Sequence, residues 1–240
     1  MQRRQTGDCA GLQRPGHADR LENPQRRWLG LALPALLLGG LPADAQSPNP
    51  DDRGADAPAD PRNWPADQAG AVAALTGVAR AMLAEQARAL AMGAAVFVGD
   101  LVRTGEASRM TLALGARTTL RLGAATEVQI ERYIVDAGGE ISLSSGAILF
   151  DREGTAPGEP LTVDGAYGLI AVRGTQFFAG PSISPFGVFA ARGSVSVTAG
   201  GTEVVLTAGE GTEFAAPGAP PSAPSRWSPE RAAAALALLG

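Results

Sequence analysis

From Val96 to Phe214 the apolar residues of this chain fall on alternate positions, and glycine breaks the pattern every few residues. Leu112 and Leu114, Leu120 and Leu122, then Val128 and Ile130 recur at intervals of eight. Ile141 and Leu143, Ile148 and Phe150, Leu161 and Val163, Ile170 and Val172, Val195 and Val197, and Val204 and Leu206 continue it at looser spacing. A period of two places successive side chains on opposite faces of a strand, so the pattern predicts short β-strands with one buried face each. Gly115, Gly123, Gly146, Gly165, Gly193 and Gly209 fall between them, where the chain turns and a Cβ is costly. No single unit buries both faces, so the strands must stack around a shared core. The expected fold is all-β: a short β-solenoid or roll-like stack of short strands, with a short C-terminal helix. The alternative is an antiparallel β-sandwich, because Gly138-Gly139 and Gly200-Gly201 read as hairpin turns.

The flanks differ in kind. Residues 46–70 begin "QSPNPDDRGADAPADPRNWP", where proline and acidic residues alternate with no apolar period, as in a disordered or polyproline-like linker. The acids lack the regular spacing and fixed glycine of a calcium loop. Residues 71–215 form the expected β domain. At its start, Ala71–Met92 is ambiguous. Its Ala, Leu and Met suit a helix, whereas Val72, Leu75 and Val78 around Thr76-Gly77 suit strands at Val72–Leu75 and Gly77–Leu83. Residues 216–240 comprise a Pro/Ala/Ser linker and a helix: Ser228 stands at the N-cap, Pro229 at the first helical position and Glu230 in the first turn. Leu236 and Leu239 share one face of that helix, which is expected to pack on the β core.

Residues 1–45 read as an N-terminal extension and signal peptide. Arg26-Arg27 precede the apolar run "WLGLALPALLLGGL", and "ADA" at positions 43–45 supplies a small-x-small cleavage site. The apolar core spans about 14 residues and contains Pro34, shorter than the roughly 20 that a membrane-spanning helix needs. The mature chain is expected to begin near Gln46, so membrane contact is expected only through the transient signal. The arginine pair also resembles a twin-arginine export signal, and the long polar stretch ahead of the core suits an upstream-assigned start.

Cys9 and His17, the one cysteine and the one histidine, both lie in this leader. Thiol and imidazole nucleophiles, Ser-His-Asp triads, thiolate or imidazole metal sites and disulfides are therefore not expected in the mature protein. No cofactor and no metal are expected. The 20 basic residues are all arginine, scattered singly beyond the leader at a net charge of -4, which argues against nucleic acid as partner. The carboxylate pairs Asp100/Glu106, Glu127/Glu131 and Asp151/Glu153 read as solvated surface acids, with no apolar pocket to raise a pKa. "GDLVRTGEAS" (99–108) and "GAAT" (123–126) lack the lysine of a phosphate-binding loop and read as turns.

"VFVGDLVRTGEASRMTLALGARTTLRLGAATEVQI" (96–130) resembles the first half of the FecR domain: a Gly-Asp turn, a Thr-Gly, a Ser, then alternating strands ending near Ser/Thr-x-Val. "IAVRGTQF" (170–177) resembles the family's V-x-x-RGT-x-F stretch, and "RGSVSVTAGGTEVVLTAGEG" (192–211) its closing strands. Three landmarks in order, spread over roughly Val72 to Phe214, make the resemblance specific. It implies a periplasmic all-β domain of the type that, in iron-citrate regulators, couples an outer-membrane transporter to control of a sigma factor. Those regulators carry a cytoplasmic segment and a transmembrane helix ahead of the domain. Here a polar stretch and a cleavable core stand there instead, so a stand-alone exported FecR-like protein is expected, periplasmic or secreted.

The expected role is a non-enzymatic module that binds an envelope or periplasmic protein through exposed strand edges or loops, in signal sensing or transduction. The alternative is an envelope scaffold or cell-wall carbohydrate binder. It has few aromatic residues to use: the β region offers Tyr133, Tyr167 and the Phe residues, and all three Trp lie outside it. A carboxylate hydrolase is a third and weaker reading. Within "IAVRGTQF", the candidate binding residues are Arg173, Gly174, Thr175 and Phe177, with no catalytic residue assigned. Strand parity puts Arg173, Thr175 and Phe177 on the face opposite Ile170 and Val172, unless a bulge at Gly174 resets the phase and sends Phe177 into the core. Arg173 is read first as a structural pin, satisfying turn carbonyls or pairing with an acid such as Asp164.

Overall fold

The alternating pattern folds into two face-to-face sheets. The computed structural model describes residues 61, 64–134, 138–154, 161–172 and 176–240, all within one unit, Asn49–Gly240. The leader at 1–45 and most of the linker lie outside the described residues. Strands are numbered in chain order. Sheet A contains β1 (Gln68–Thr76), β4 (Ala95–Phe97), β6 (Arg109–Ala113), β7 (Thr118–Leu122), β10 (Ile148–Arg152), β13 (Gln176–Gly180), β14 (Phe186–Arg192), β17 (Glu210–Phe214) and β18 (Ser225–Arg226). Sheet B contains β2 (Ala79–Leu83), β3 (Gln86–Leu90), β5 (Leu101–Thr104), β8 (Glu127–Ile134), β9 (Gly138–Ser145), β11 (Leu161–Gly165), β12 (Gly168–Val172), β15 (Ser194–Ala199) and β16 (Thr202–Thr207).

Sheet A runs β4-β1-β6-β7-β10-β13-β14-β17-β18 in space, and sheet B runs β3-β2-β5-β8-β9-β11-β12-β15-β16. The chain therefore lays one or two strands on one sheet, crosses, and lays the next on the other, advancing in one direction. That is the progression of a roll, built from the antiparallel hairpins of a sandwich. Among the described strands only β9 and β11 pair in parallel. Gly200 and Gly201, both at positive φ (54° and 76°), close the β15–β16 hairpin as a two-residue turn.

The core is what alternation predicts. Leu112, Leu120, Leu122, Ile148, Phe150 and Phe177 of sheet A meet Val128, Ile130, Ile141, Val163, Ile170 and Val197 of sheet B in one buried cluster. Each such side chain contributes about 1.5–3 kcal/mol by leaving water. Phe177 thus shares the core with Ile170 and Val172, but the three do not lie on one strand. Strand β12 ends at Val172 in sheet B and β13 starts at Gln176 in sheet A, so a change of sheet, rather than alternation along a single strand, brings the ring inside.

Ala71–Met92 is extended, not helical. The two expected strands are present, β1 starts earlier at Gln68, and β3 adds a third. Helix propensity of the alanines is overridden because Ala79 and Ala81 are small inward residues of β2, buried between the sheets. The C-terminal helix α1 (Pro229–Ala237) is capped as expected: Ser228 Oγ accepts from the Arg231 amide at 3.2 Å, with Pro229 in the first turn.

Sheet A is unusual in being covered on its outer face as well. Leu149, Phe178 and Phe189 point away from the main core and are buried under Trp227, Ala235 and Leu239 of the C-terminal segment. The continuous apolar runs Ile148-Leu149-Phe150, Phe177-Phe178 and Val188-Phe189 are the sequence trace of a strand buried on both faces.

Candidate functional site

Four polar residues of the 96–130 stretch, Asp100, Thr104, Ser108 and Thr126, turn inward and act on the backbone. Asp100 is completely buried, which corrects its reading as a solvated acid. Its carboxylate accepts from Arg88 Nη1 at 2.7 Å, from Arg88 Nη2, and from the Phe97 amide at 2.7 Å. Hydrogen bonding to Asp100 raises the Arg88 guanidinium above its ordinary pKa. Thr104 Oγ1 donates to the Gly123 carbonyl at 2.6 Å and accepts from the Thr126 amide at 2.9 Å. Ser108 Oγ accepts from the Val78 amide at 2.9 Å, and Thr126 Oγ1 accepts from the Ala147 amide at 3.1 Å. All four side chains are buried. They satisfy backbone groups where the chain crosses between sheets, where no ladder partner exists.

Of the candidate binding residues, Arg173, Gly174 and Thr175 lie outside the described residues. Phe177 is fully buried, with its ring 5.7 Å from that of Phe150, so a ligand arriving from solvent does not meet it. Asp164, named as a partner for Arg173, is exposed on β11.

The other carboxylates are held by arginines or exposed. Glu127 pairs with Arg103, and Asp151 pairs with Arg192 and accepts from Gln176 Nε2 at 2.7 Å. Glu106, Glu131 and Glu153 are exposed. Among the described residues no group of three or more His, Cys, Asp or Glu is placed to hold a metal ion. No described helix is long and apolar enough to cross a membrane. A small, partly open recess beside Leu143, Val163, Tyr167, Phe186 and Phe214 measures about 10 Å³, room for about one water.

Aromatic rings are spent on packing. Tyr133 is buried and its hydroxyl donates to the Leu114 carbonyl at 2.8 Å. Tyr167 stacks on Phe186 with centroids 4.4 Å apart. Every aromatic side chain among the described residues is buried or half-buried, Trp64, Phe97 and Tyr167 being the half-buried ones.

The surface also carries open clefts of about 340 Å³ beside Val78, Met82 and Arg103 and about 290 Å³ beside Leu75, Arg121 and Leu239, together with the strand edges. Sheet A ends in β4, of three residues, and β18, of two. Sheet B ends in β3, of five residues, whose central Arg88 is tied to Asp100, and in β16, of six. β16 reads Thr-Glu-Val-Val-Leu-Thr and, among the described strands, pairs with β15 alone. It has no Pro, no Arg and no bulge in its pairing, and Val205 stands outward, 57% exposed. Its one charge, Glu203, accepts from Ser196 Oγ on the neighbouring strand. A six-residue edge of high β-propensity with a single acid near one end and no lysine or proline is a template for another strand. Alternation alone does not reveal it, because an edge is a property of sheet order.

Residues 100–212 match the family model described as FecR protein. Two crystal structures of a protein from Parabacteroides distasonis ATCC 8503, described as an anti-sigma factor, align at 16% identity and a TM-score of 0.48 over 57% of this chain. The alignments span 64% and 63% of those chains. No curated protein matches the sequence.

Proposed function

We propose that this chain, FecR-like over residues 100–212, is an exported, non-enzymatic module that acts in signal transduction by binding an envelope or periplasmic protein. The observation that carries the reading is the edge of β16 that no described strand pairs. A partner segment in extended conformation completes sheet B by main-chain hydrogen bonds, and an apolar residue opposite Val205 supplies the side-chain contact. The buried landmark residues support the same reading from the other side. They spend the motif's polar groups on rigidity, so that recognition falls to the edge and loops they hold in place.

The test is affinity capture from solubilised envelope with the full chain, comparing wild type with Val205→Lys. A lysine on an edge strand blocks a further strand while leaving the β15 pairing intact. The expected result is a protein recovered with wild type and depleted at least tenfold with the variant. Recovery of no envelope protein, or of the same proteins by both, overturns the reading. Export is checked separately by N-terminal sequencing of the exported chain, expected to start near Gln46.

A further inference from the structure

The FecR match ends at residue 212, yet the described chain continues to Gly240 and closes over the outer face of sheet A. The closure is built around one ring. Trp227 lies on Phe189, with centroids 4.9 Å apart and planes 16° from parallel, and tilts against Phe178 at 6.4 Å. Two strand glycines make its slot. A Cβ on Gly211 would lie 2.3 Å from Trp227 Nε1, and one on Gly187 would lie 3.2 Å from Trp227 Cζ2. Arg231 closes the slot from above, its guanidinium carbon 3.7 Å from the indole centroid, and pairs with Glu213. Ala235 and Leu239 of the helical segment cover the rest of the apolar patch formed by Leu149, Phe178 and Phe189.

The fit is specific and fastened at both ends, the Trp227 amide donating to the Gly209 carbonyl at 3.1 Å and Arg109 Nε to the Leu238 carbonyl at 3.2 Å, but its own elements are short. Strand β18 is two residues long, and the nine-residue helix is too short to persist unsupported. Trp227 Nε1 and Arg231 Nε are buried without a hydrogen-bond partner. Each such group gives up stability that a partnered one keeps, so the segment holds less tightly than its buried surface suggests. A Pro-rich connection with Pro217, Pro220, Pro221 and Pro224 joins it to β17.

We propose that the outer face of sheet A is a docking groove for a segment carrying an aromatic ring followed by a short apolar helix. Residues 225–240 fill it in cis, and a partner segment of the same chemistry exchanges with them. The cis segment is itself the template: a flat ring for the glycine slot, a cation above it, and small apolar side chains on one helical turn. Its departure uncovers Leu149, Phe178 and Phe189 together with the edge of β17, so docking and strand addition become available at once. Because the cis segment is tethered, its effective concentration is high, and the groove stays shut to weak competitors.

The probe is a fluorescein-labelled peptide of residues 222–240, titrated into the full chain as wild type and as Trp227→Ala, with circular dichroism confirming that both are folded. Saturable binding to Trp227→Ala at least tenfold tighter than to wild type, abolished by adding Phe189→Asp, is the expected result. A folded Trp227→Ala that binds no peptide, or equal binding by both chains, overturns the proposal. Hydrogen exchange on the wild-type chain decides independently if the variant does not fold. Amides of α1 are expected to exchange at least tenfold faster than those of β13 and β14, and exchange only with global unfolding overturns exchangeability. Light scattering of the wild type adds one more outcome: a dimer that disappears in Trp227→Ala would mean that a second copy fills the groove, which overturns a heterologous partner.

Discussion

Asp100 and Arg88 form a bidentate pair in which the carboxylate has no solvent exposure and the guanidinium keeps a third of its side-chain surface in water. Arg88 Nη2 also donates to the Ala95 carbonyl at 3.1 Å, so one cation ties β3 to β4 of the facing sheet through the turn ahead of β5. Removing one partner strands the other. Arg88→Ala leaves a buried carboxylate with only the Phe97 amide, and is expected to cost about 3–5 kcal/mol. Asp100→Asn keeps the shape and one acceptor and is expected to cost less. Denaturant melts of both variants check the order, and equal, small losses would show that the pair contributes little.

The crossings between sheets offer a second measurement. Thr126 Oγ1 accepts from the Ala147 amide and lies 3.2 Å from the Ala147 carbonyl, in a site with 1% exposure. Thr126→Val preserves volume and deletes these bonds, at an expected cost of about 1–3 kcal/mol and a fall in Tm of roughly 2–12 °C. Glu127→Gln, next along the chain, breaks an exposed pair with Arg103 and should cost under about 1 kcal/mol. A reversal of that ranking in thermal melts would remove the structural account of the landmark.

How far these contacts are legible beforehand differs by kind. Alternation identifies the strands and the inward residues, because period two is a local property of the backbone. The N-cap at Ser228 is equally local. Asp100 is misread because a Gly-Asp turn looks the same whether its acid is solvated or buried, and the partner that decides it sits twelve residues away on another strand. Trp227 lies beyond the β pattern, and only the unbroken runs such as Ile148-Leu149-Phe150 hint that sheet A needs a second cover. "IAVRGTQF" reads as one strand but contributes to two, since the exchange of sheets leaves no mark on the parity of Ile170, Val172 and Phe177.

The β2–β3 hairpin turns through Ala84 and Glu85, at φ 45° and 67°. Side chains with a Cβ pay about 1–2 kcal/mol each in this left-handed region, and neither residue has the small polar side chain that eases it. Replacing the pair with Ala84→Asn and Glu85→Gly is expected to stabilise the fold by about 1–2 kcal/mol, read as a higher denaturant midpoint with unchanged slope. A lower midpoint would mean that the turn is held by contacts worth more than its strain.

Acid should loosen the C-terminal segment before the sandwich. The backbone amide at the helix start, and then Ser228, hold the Glu230 carboxyl below its ordinary value. A group with a depressed folded pKa stabilises above its unfolded value, about 4.3, and that contribution disappears as pH falls through the folded value. Glu213 pairs with Arg231, whose guanidinium burial holds below its ordinary pKa. In a Trp28→Phe, Trp64→Phe background, Trp227 emission is expected to shift to the red below about pH 4 while the far-ultraviolet spectrum of the strands persists. Glu230→Gln removes the part of that shift due to Glu230. If the emission and the strand signal change together, the segment and the sandwich unfold as one unit, and the short helix is fastened more firmly than its two unpartnered N–H groups suggest.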